Sequence, residues 1–171
     1  MTNHERAASI KLVIMDVDGT LTDGAMYYSA HGEELKRFNT RDGMGITLLH
    51  RAGIQTAIIT SENSDIVMRR AQKLGITEVV LGSHDKTATF HDISRRSGLD
   101  ADSIAYIGDD VNDLHVMQLC GLSGCPSDAV SAIKNVAHMV SSYPGGNGAV
   151  REFAEFILIA QGKYVTLPEQ W

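Results

Sequence analysis

The sequence predicts an α/β fold in which a parallel sheet is sandwiched by helices, with a small β-hairpin inserted after the first strand and no large cap domain. Three observations predict it. Short apolar runs rich in Val and Ile alternate with segments of helical period. The helical segments tend to end at glycines placed like C-terminal caps, namely Gly53, Gly75, Gly98 and Gly121. One segment alone, AMYYSAHGEELKRFN at 25–39, breaks the alternation.

The first strand is KLVIMD (11–16), apolar along its length as a strand covered on both faces must be. Within 25–39, two strand-like runs flank His31-Gly32, which reads as a hairpin. That hairpin is too small to close over a site alone, so shielding a site from water would need another subunit. A helix over about 42–52 follows, then strand QTAIIT (55–60) and a helix over 64–74 whose apolar stripe is Ile66, Val67, Ala71 and Leu74. The strand EVVL (78–81) leads to a helix at 86–97, and SIAYIG (103–108) to one at 110–119. A helix over 128–136, a short strand HMV (138–140) and a helix over 148–161 complete the series. Tyr164 to Trp171 form a tail that either reaches a neighbouring subunit or frays.

At 171 residues and 43% hydrophobic composition, the chain is expected to bury one core and to form one domain spanning 1–171. Fifteen Lys plus Arg against twenty-one Asp plus Glu give a net charge of −6, which offers no footprint for nucleic acid or an anionic membrane. A small or metal-bridged ligand fits better. No long apolar run and no signal-peptide pattern at MTNHERAAS are present, so a cytoplasmic protein is expected. Cys120 and Cys125 read as small buried hydrophobes.

In an open α/β sheet, ligands bind beyond the carboxyl ends of the strands. Those ends are acidic here. The first strand ends in Asp16-Val-Asp18-Gly19-Thr20, the second in Thr60-Ser61-Glu62, and the fourth in Gly108-Asp109-Asp110, with Asp113 three residues on. Such a cluster repels itself unless a cation neutralises it, and Mg2+ is the natural candidate because it takes oxygen ligands and keeps waters that phosphate can displace. A turn at Gly19 lets Asp16 and Asp18 aim differently at one reacting atom, so that one attacks phosphorus and the other moves the proton. Phosphoryl transfer also needs donors around the equatorial oxygens, which Lys86 and Thr60 can supply. Taken alone, Lys86 reads as a solvated residue, and Thr60 reads equally as a helix cap. No GxxxxGK[ST] loop appears, which argues against an ATP-binding phosphotransferase.

Together, DVDGT (16–20), the Thr60 strand end, Lys86 and GDDVND (108–113) resemble the four motifs of the haloacid dehalogenase superfamily, whose sheet is Rossmann-like. The resemblance implies that Asp16 is the nucleophile forming an aspartyl-phosphate, Asp18 the general acid and base, and Thr60 and Lys86 the phosphate holders. It implies a Mg2+ set of Asp16, the Asp18 carbonyl and Asp109, with Asp110 and Asp113 behind it. Further, DGAMY (23–27), GEELKRFNTRDGMGI (32–46) and GGNGAVREFAEFILIAQGK (145–163) resemble the capless 3-deoxy-D-manno-octulosonate 8-phosphate phosphatase family. That implies a homotetramer whose neighbouring subunits help to cover each site, with a sugar phosphate as substrate. Gly19, Ser61, Arg41, Gly145, Gly146 and Arg151 are then candidates for substrate contacts.

Just after Thr60 the pattern departs. Eight-carbon phosphatases of this family usually continue with Gly-Arg, whereas this chain has Ser61-Glu62-Asn63. Members acting on nine-carbon sialic acid or 2-keto-3-deoxy-nononic acid 9-phosphates tend to have Glu there, with an Arg and a Lys on the next helix, a spacing that Arg70 and Lys73 match. Arg70 also falls inside the apolar stripe of 64–74, so its guanidinium needs an anionic partner, either Glu62 or a substrate carboxylate, unless it snorkels to solvent. Two other readings stand beside these: a phosphatase of another small phosphomonoester, and a silent oligomerisation module. The intact Asp16 and Asp18 argue against the latter.

Overall fold

A computed structural model describes residues 1–168 of the chain. Helix α1 (Asn3–Ala8) opens it, started by a capping box in which Thr2 accepts from the Glu5 amide and the Glu5 carboxylate accepts from the Thr2 amide. It was not expected from the sequence, although T-x-x-E is its signature. Strand β1 (Leu12–Met15) follows, then the hairpin strands β2 (Tyr27–Ser29) and β3 (Gly32–Leu35). Next come α2 (Thr40–Arg51), β4 (Gln55–Ile59), α3 (Asp65–Leu74), β5 (Glu78–Val80) and α4 (Lys86–Ser97). The last third holds β6 (Ile104–Ile107), α5 (Leu114–Leu119), β7 (Leu122–Cys125), α6 (Ser131–Lys134), β8 (Met139–Val140) and α7 (Ala149–Ala160).

Six strands form one parallel sheet in the order β5-β4-β1-β6-β7-β8. Alternate residues of each strand face opposite layers. Val13, Met15, Ile58, Ala105 and Ile107 pack with Ile46 and Leu49 of α2, Val67 of α3, and Phe153 and Ile157 of α7. Leu12, Ile14, Ala57, Ile59, Ile104 and Tyr106 pack on the other face with Phe90 of α4, Val116 of α5 and Ile133 of α6. Both free cysteines are buried in this second layer. Among the described residues, no helix is long and apolar enough to cross a membrane.

Strand β7 carries no strand pattern in the sequence because Ser123-Gly124 interrupts its apolar run. Its fitness for the core is tertiary: a Cβ at Gly124 would lie 2.6 Å from Phe153 Cε2, and the Ser123 amide donates to His138 Nδ1 at 3.0 Å. Gly121 is corrected too. It is not a left-handed cap, since α5 stops at Cys120 in extended backbone; a Cβ at 121 would lie 2.2 Å from the Asp102 carbonyl oxygen. Gly75 and Gly98 do cap α3 and α4 in the left-handed region, with φ of +72° and +67°. The helix expected at 110–119 begins instead as a 3-10 turn over 111–113, and that expected at 128–136 shrinks to the four residues of α6. The tail's Val165 and Leu167 pack against the first layer while Tyr164 is exposed; residues 169–171 lie outside the described residues.

Candidate active site

β1 runs straight at the site. The Asp16 amide still donates to the Ile107 carbonyl at 3.0 Å, one residue beyond β1, and the chain then turns, with the Thr20 and Thr22 amides both donating to the Val17 carbonyl. Gly19 carries a φ of +93°, and a Cβ there would lie 2.1 Å from Asp109 Oδ2. Only glycine meets both demands. The close approach seats the Asp109 carboxylate on the loop, where Thr20 Oγ1 donates to Asp109 Oδ1 at 3.2 Å.

Lys86 is the first residue of α4 and is 3% exposed. Its Nζ lies 2.5 Å from Asp16 Oδ1 and 2.6 Å from Asp113 Oδ1. Asp113 is fully buried and also accepts from the Tyr106 hydroxyl at 2.7 Å and the Asp109 amide at 3.0 Å. It therefore holds Lys86 and the 109–113 turn in place. Tyr106 is a neighbour of the cluster that the sequence did not single out; its hydroxyl inside the apolar run IAYI was the available signal. Asp110 is exposed, and its Oδ1 accepts from the Val111 amide, starting the 3-10 turn.

Carboxylate oxygens of Asp16, Asp109 and Asp113 lie within 4.8 Å of one another. Burial, then the charge of Asp113, push the Asp16 carboxyl well above its usual range, with Lys86 opposing. Burial and Asp113 likewise push Asp109 up to about 6. Carboxylates so crowded resist ionising together, and a divalent cation is the ordinary remedy. Asp113 is committed to Lys86 and Tyr106, so Asp16 and Asp109 are the donors left for a metal. An all-oxygen set fits a hard cation.

Thr60 directly follows β4, is 1% exposed, and accepts from the Glu62 amide at 3.2 Å through Oγ1. Beside it opens a cavity of about 250 Å3 lined by Asp16, Asp18, Thr60, Ser61, Glu62 and Asp110, with Val111 and Asn112. Most of the sequence-expected residues thus converge here, with Lys86, Asp109, Asp113 and Gly19 immediately behind.

Others do not converge. Arg70 does not reach Glu62, which is exposed at the rim of that cavity; it donates to the Asn39 carbonyl at 3.2 Å and stacks over Phe38, its Nε buried without a partner among the described residues. Of the partners expected for Arg70, Glu62 is corrected accordingly: α3 aims that guanidinium at the start of α2. Lys73 is exposed on the same helix. Arg41 and Arg151 line a separate cavity of about 400 Å3 with Tyr143 and Glu155. Asp42 is buried and accepts from the Gly148 and Arg151 amides, fastening the start of α7 to α2. Gly145 and Gly146 are buried against the 19–23 loop; Cβ atoms there would lie 1.8 Å from the Gly19 oxygen and 2.4 Å from the Thr22 carbonyl carbon. Their visible role is to buttress the loop that carries Asp18.

Residues 53–153 match the family model of haloacid dehalogenase-like hydrolases. The 3-deoxy-D-manno-octulosonate 8-phosphate phosphatase of Haemophilus influenzae is 44% identical over 159 residues, covering 93% of this chain and 88% of that protein. The crystal structure of the phosphatase of that name from Yersinia pestis superposes with a TM-score of 0.91 at 44% identity, over 94% of this chain and 86% of the other. That from Moraxella catarrhalis, in complex with magnesium, phosphate and 3-deoxy-D-manno-octulosonate, gives 0.91 at 39% identity, over 94% and 92%. The chain therefore belongs to the haloacid dehalogenase-like hydrolases, within their 3-deoxy-D-manno-octulosonate 8-phosphate phosphatase family, and is a phosphoric monoester hydrolase.

Proposed function

We propose that this protein is a Mg2+-dependent phosphatase of 3-deoxy-D-manno-octulosonate 8-phosphate, working as one hydrolase domain through a phosphorylated Asp16. The observation that carries the chemistry is the Lys86 ammonium bridging Asp16 and Asp113 beside Asp109 and Thr60. Lys86 holds Asp16 by Oδ1, which orients the carboxylate for attack on phosphorus. As the Asp16 oxygen bonds to phosphorus, the ester P–O bond breaks and Asp18 gives its proton to the sugar oxygen. Asp18 then takes a proton from water, whose oxygen attacks the phosphorus; inorganic phosphate leaves and Asp16 is restored. Lys86 and the Thr60 hydroxyl face the charge on the phosphoryl oxygens. A divalent cation held by Asp16, Asp109 and the Asp18 carbonyl would neutralise the carboxylates and the phosphate together.

The relatives' substrate and the likeness over nearly the whole chain support the eight-carbon sugar. One observation favours a nine-carbon 9-phosphate instead: Glu62 lines the cavity. Arg70 and Lys73, its expected companions, do not. Steady-state comparison of the 8-phosphate with nine-carbon 9-phosphates, with and without Mg2+, tests the proposal. The expected result is a higher kcat/KM for the 8-phosphate, abolished by chelation; preference for a 9-phosphate, or turnover insensitive to chelation, would overturn it.

The hairpin supports a homo-oligomer, as the tetrameric reading requires. It forms a two-stranded sheet of its own and exposes Met26, Tyr27, Tyr28 and Leu35, a patch that an isolated hairpin does not carry without a partner. Light scattering on a Tyr28→Glu, Leu35→Glu variant is expected to show loss of the assembly; an unchanged mass would contradict this role.

A further inference from the structure

Lys36 follows β3 at the foot of the hairpin, where an antiparallel bridge between Thr22 and Phe38 brings the hairpin back to the loop after β1. A lysine on so exposed a hairpin would ordinarily face solvent. This one does not: its side chain is 1% exposed, and Nζ lies 2.5 Å from Asp18 Oδ1 and 2.6 Å from Glu33 Oε1. Held between the two carboxylates, Lys36 is the cation they share. Glu33 in turn accepts from the hydroxyl of Ser64, the residue that precedes α3. The hairpin and the Asp18 loop thus meet on one ammonium group, to which Glu33 ties the start of α3.

The consequence for Asp18 is asymmetric. Oδ1 is occupied by Lys36, whereas Oδ2 is buried and has no hydrogen-bond partner among the described residues, on a residue that lines the cavity. A carboxylate oxygen without a protein partner, on a residue that lines the cavity, is free to meet a group of the substrate.

We propose that Lys36 is a positioning residue for proton transfer: it pins Asp18 by Oδ1 and leaves Oδ2 to hand the proton to the departing ester oxygen, while Glu33, tied to Ser64, keeps Lys36 in place. This rests on the assignment of Asp18 as general acid and deepens it. In the step, an Asp16 oxygen bonds to phosphorus, the ester P–O bond breaks, and the proton moves from Asp18 Oδ2 to the leaving oxygen. The Lys36 ammonium faces the carboxylate that remains, stabilising charge as it develops. No further reactant is needed. The hairpin then supplies chemistry as well as cover.

The discriminating variable is the leaving group, because p-nitrophenolate departs without a proton and a sugar alkoxide does not. The experiment compares kcat/KM, which reports the steps through ester cleavage, for p-nitrophenyl phosphate and 3-deoxy-D-manno-octulosonate 8-phosphate. The proteins are the wild type, Lys36→Met, Lys36→Arg, Glu33→Gln and Asp18→Asn, each checked for fold by circular dichroism. Lys36→Met is expected to lose at least tenfold more on the sugar ester than on the aryl ester, on the scale of about 100-fold or more that general acids contribute. Lys36→Arg restores most of the difference. Glu33→Gln shows the same selectivity in weaker form, which keeps the proposal testable should Lys36→Met fail to fold. Equal losses on both esters in the Lys36 and Glu33 variants, with Asp18→Asn still selective, would overturn the role of Lys36 and leave the proposed mechanism standing. No selectivity in Asp18→Asn would overturn both.

Discussion

Lys86→Met removes the one cation that two buried carboxylates share. Asp16 and Asp113 are 5% and 0% exposed, and Lys86 is 3% exposed, so water cannot replace the lost ammonium without opening the core. Removing one partner from a buried ion pair costs about 3 to 5 kcal/mol because the other charge is stranded. At the lower figure, a chain of this length loses roughly 6 to 12 °C in Tm. The size of the loss must depend on pH. Asp16 and Asp109 already have raised pKa values, Asp109 near 6, and an acid with a raised folded pKa favours folding below its unfolded value and progressively opposes it as pH rises through the folded one. Without Lys86 that opposition grows, so the variant should be closest to wild type near pH 4 and furthest from it above pH 6. Added Mg2+ should recover part of the deficit by supplying the missing charge. Thermal unfolding at several pH values, with and without Mg2+, measures this. A variant with wild-type Tm at neutral pH, or a deficit that shrinks as pH rises, would refute the account of Lys86 as the cluster's internal counter-charge.

Gly19→Ala should reduce kcat by about 100-fold or more and cost upward of about 1 kcal/mol, since the added methyl meets both a left-handed backbone and the Asp109 carboxylate; denaturant unfolding and steady-state kinetics measure the two effects. Tyr106→Phe deletes one bond to Asp113 and leaves Lys86 in place, so a stability loss of about 1 kcal/mol with kcat reduced less than tenfold is expected. Glu62→Arg should lower any turnover of nine-carbon 9-phosphates more than that of the 8-phosphate, and a uniform effect on both would remove Glu62 from specificity. His50 is half-buried beside Thr56 with its pKa lowered by burial, which contributes stability above about pH 6.5 that is lost as pH falls through the lowered value; His50→Gln should flatten that part of the stability profile.

What was legible in the sequence was the part written in local contrast. Asp16, Thr60 and Asp109 interrupt or follow apolar strands, so their place at the carboxyl edge of the sheet followed from the strands themselves. Lys86 at a helix start was legible for the same reason, as a charge placed against the helix dipole. What was not legible depends on partners distant in sequence. Lys36 carries no local signal in the hairpin segment, because only the fold brings it to Asp18, eighteen residues away. Arg70 was recognised as needing a partner, but the partner lies on the Phe38-Asn39 segment before α2, whose position no pattern within α3 encodes. The Gly145-Gly146 pair read as a substrate loop because its tight packing on Gly19 and Thr22 appears only when β8 and α7 are in place.

The central claim is that Asp16 takes the phosphoryl group and Asp18 moves the proton. Asp18→Asn separates the two acts, because p-nitrophenyl phosphate can phosphorylate Asp16 without an acid, whereas release of phosphate from Asp16 needs a base. Rapid quenching of that variant in Mg2+ should show one equivalent of p-nitrophenolate per site in a burst, with a phosphoryl group mapped by mass spectrometry to Asp16. A burst with the phosphoryl group on another residue, or steady turnover with Asp16 never labelled, would contradict the account.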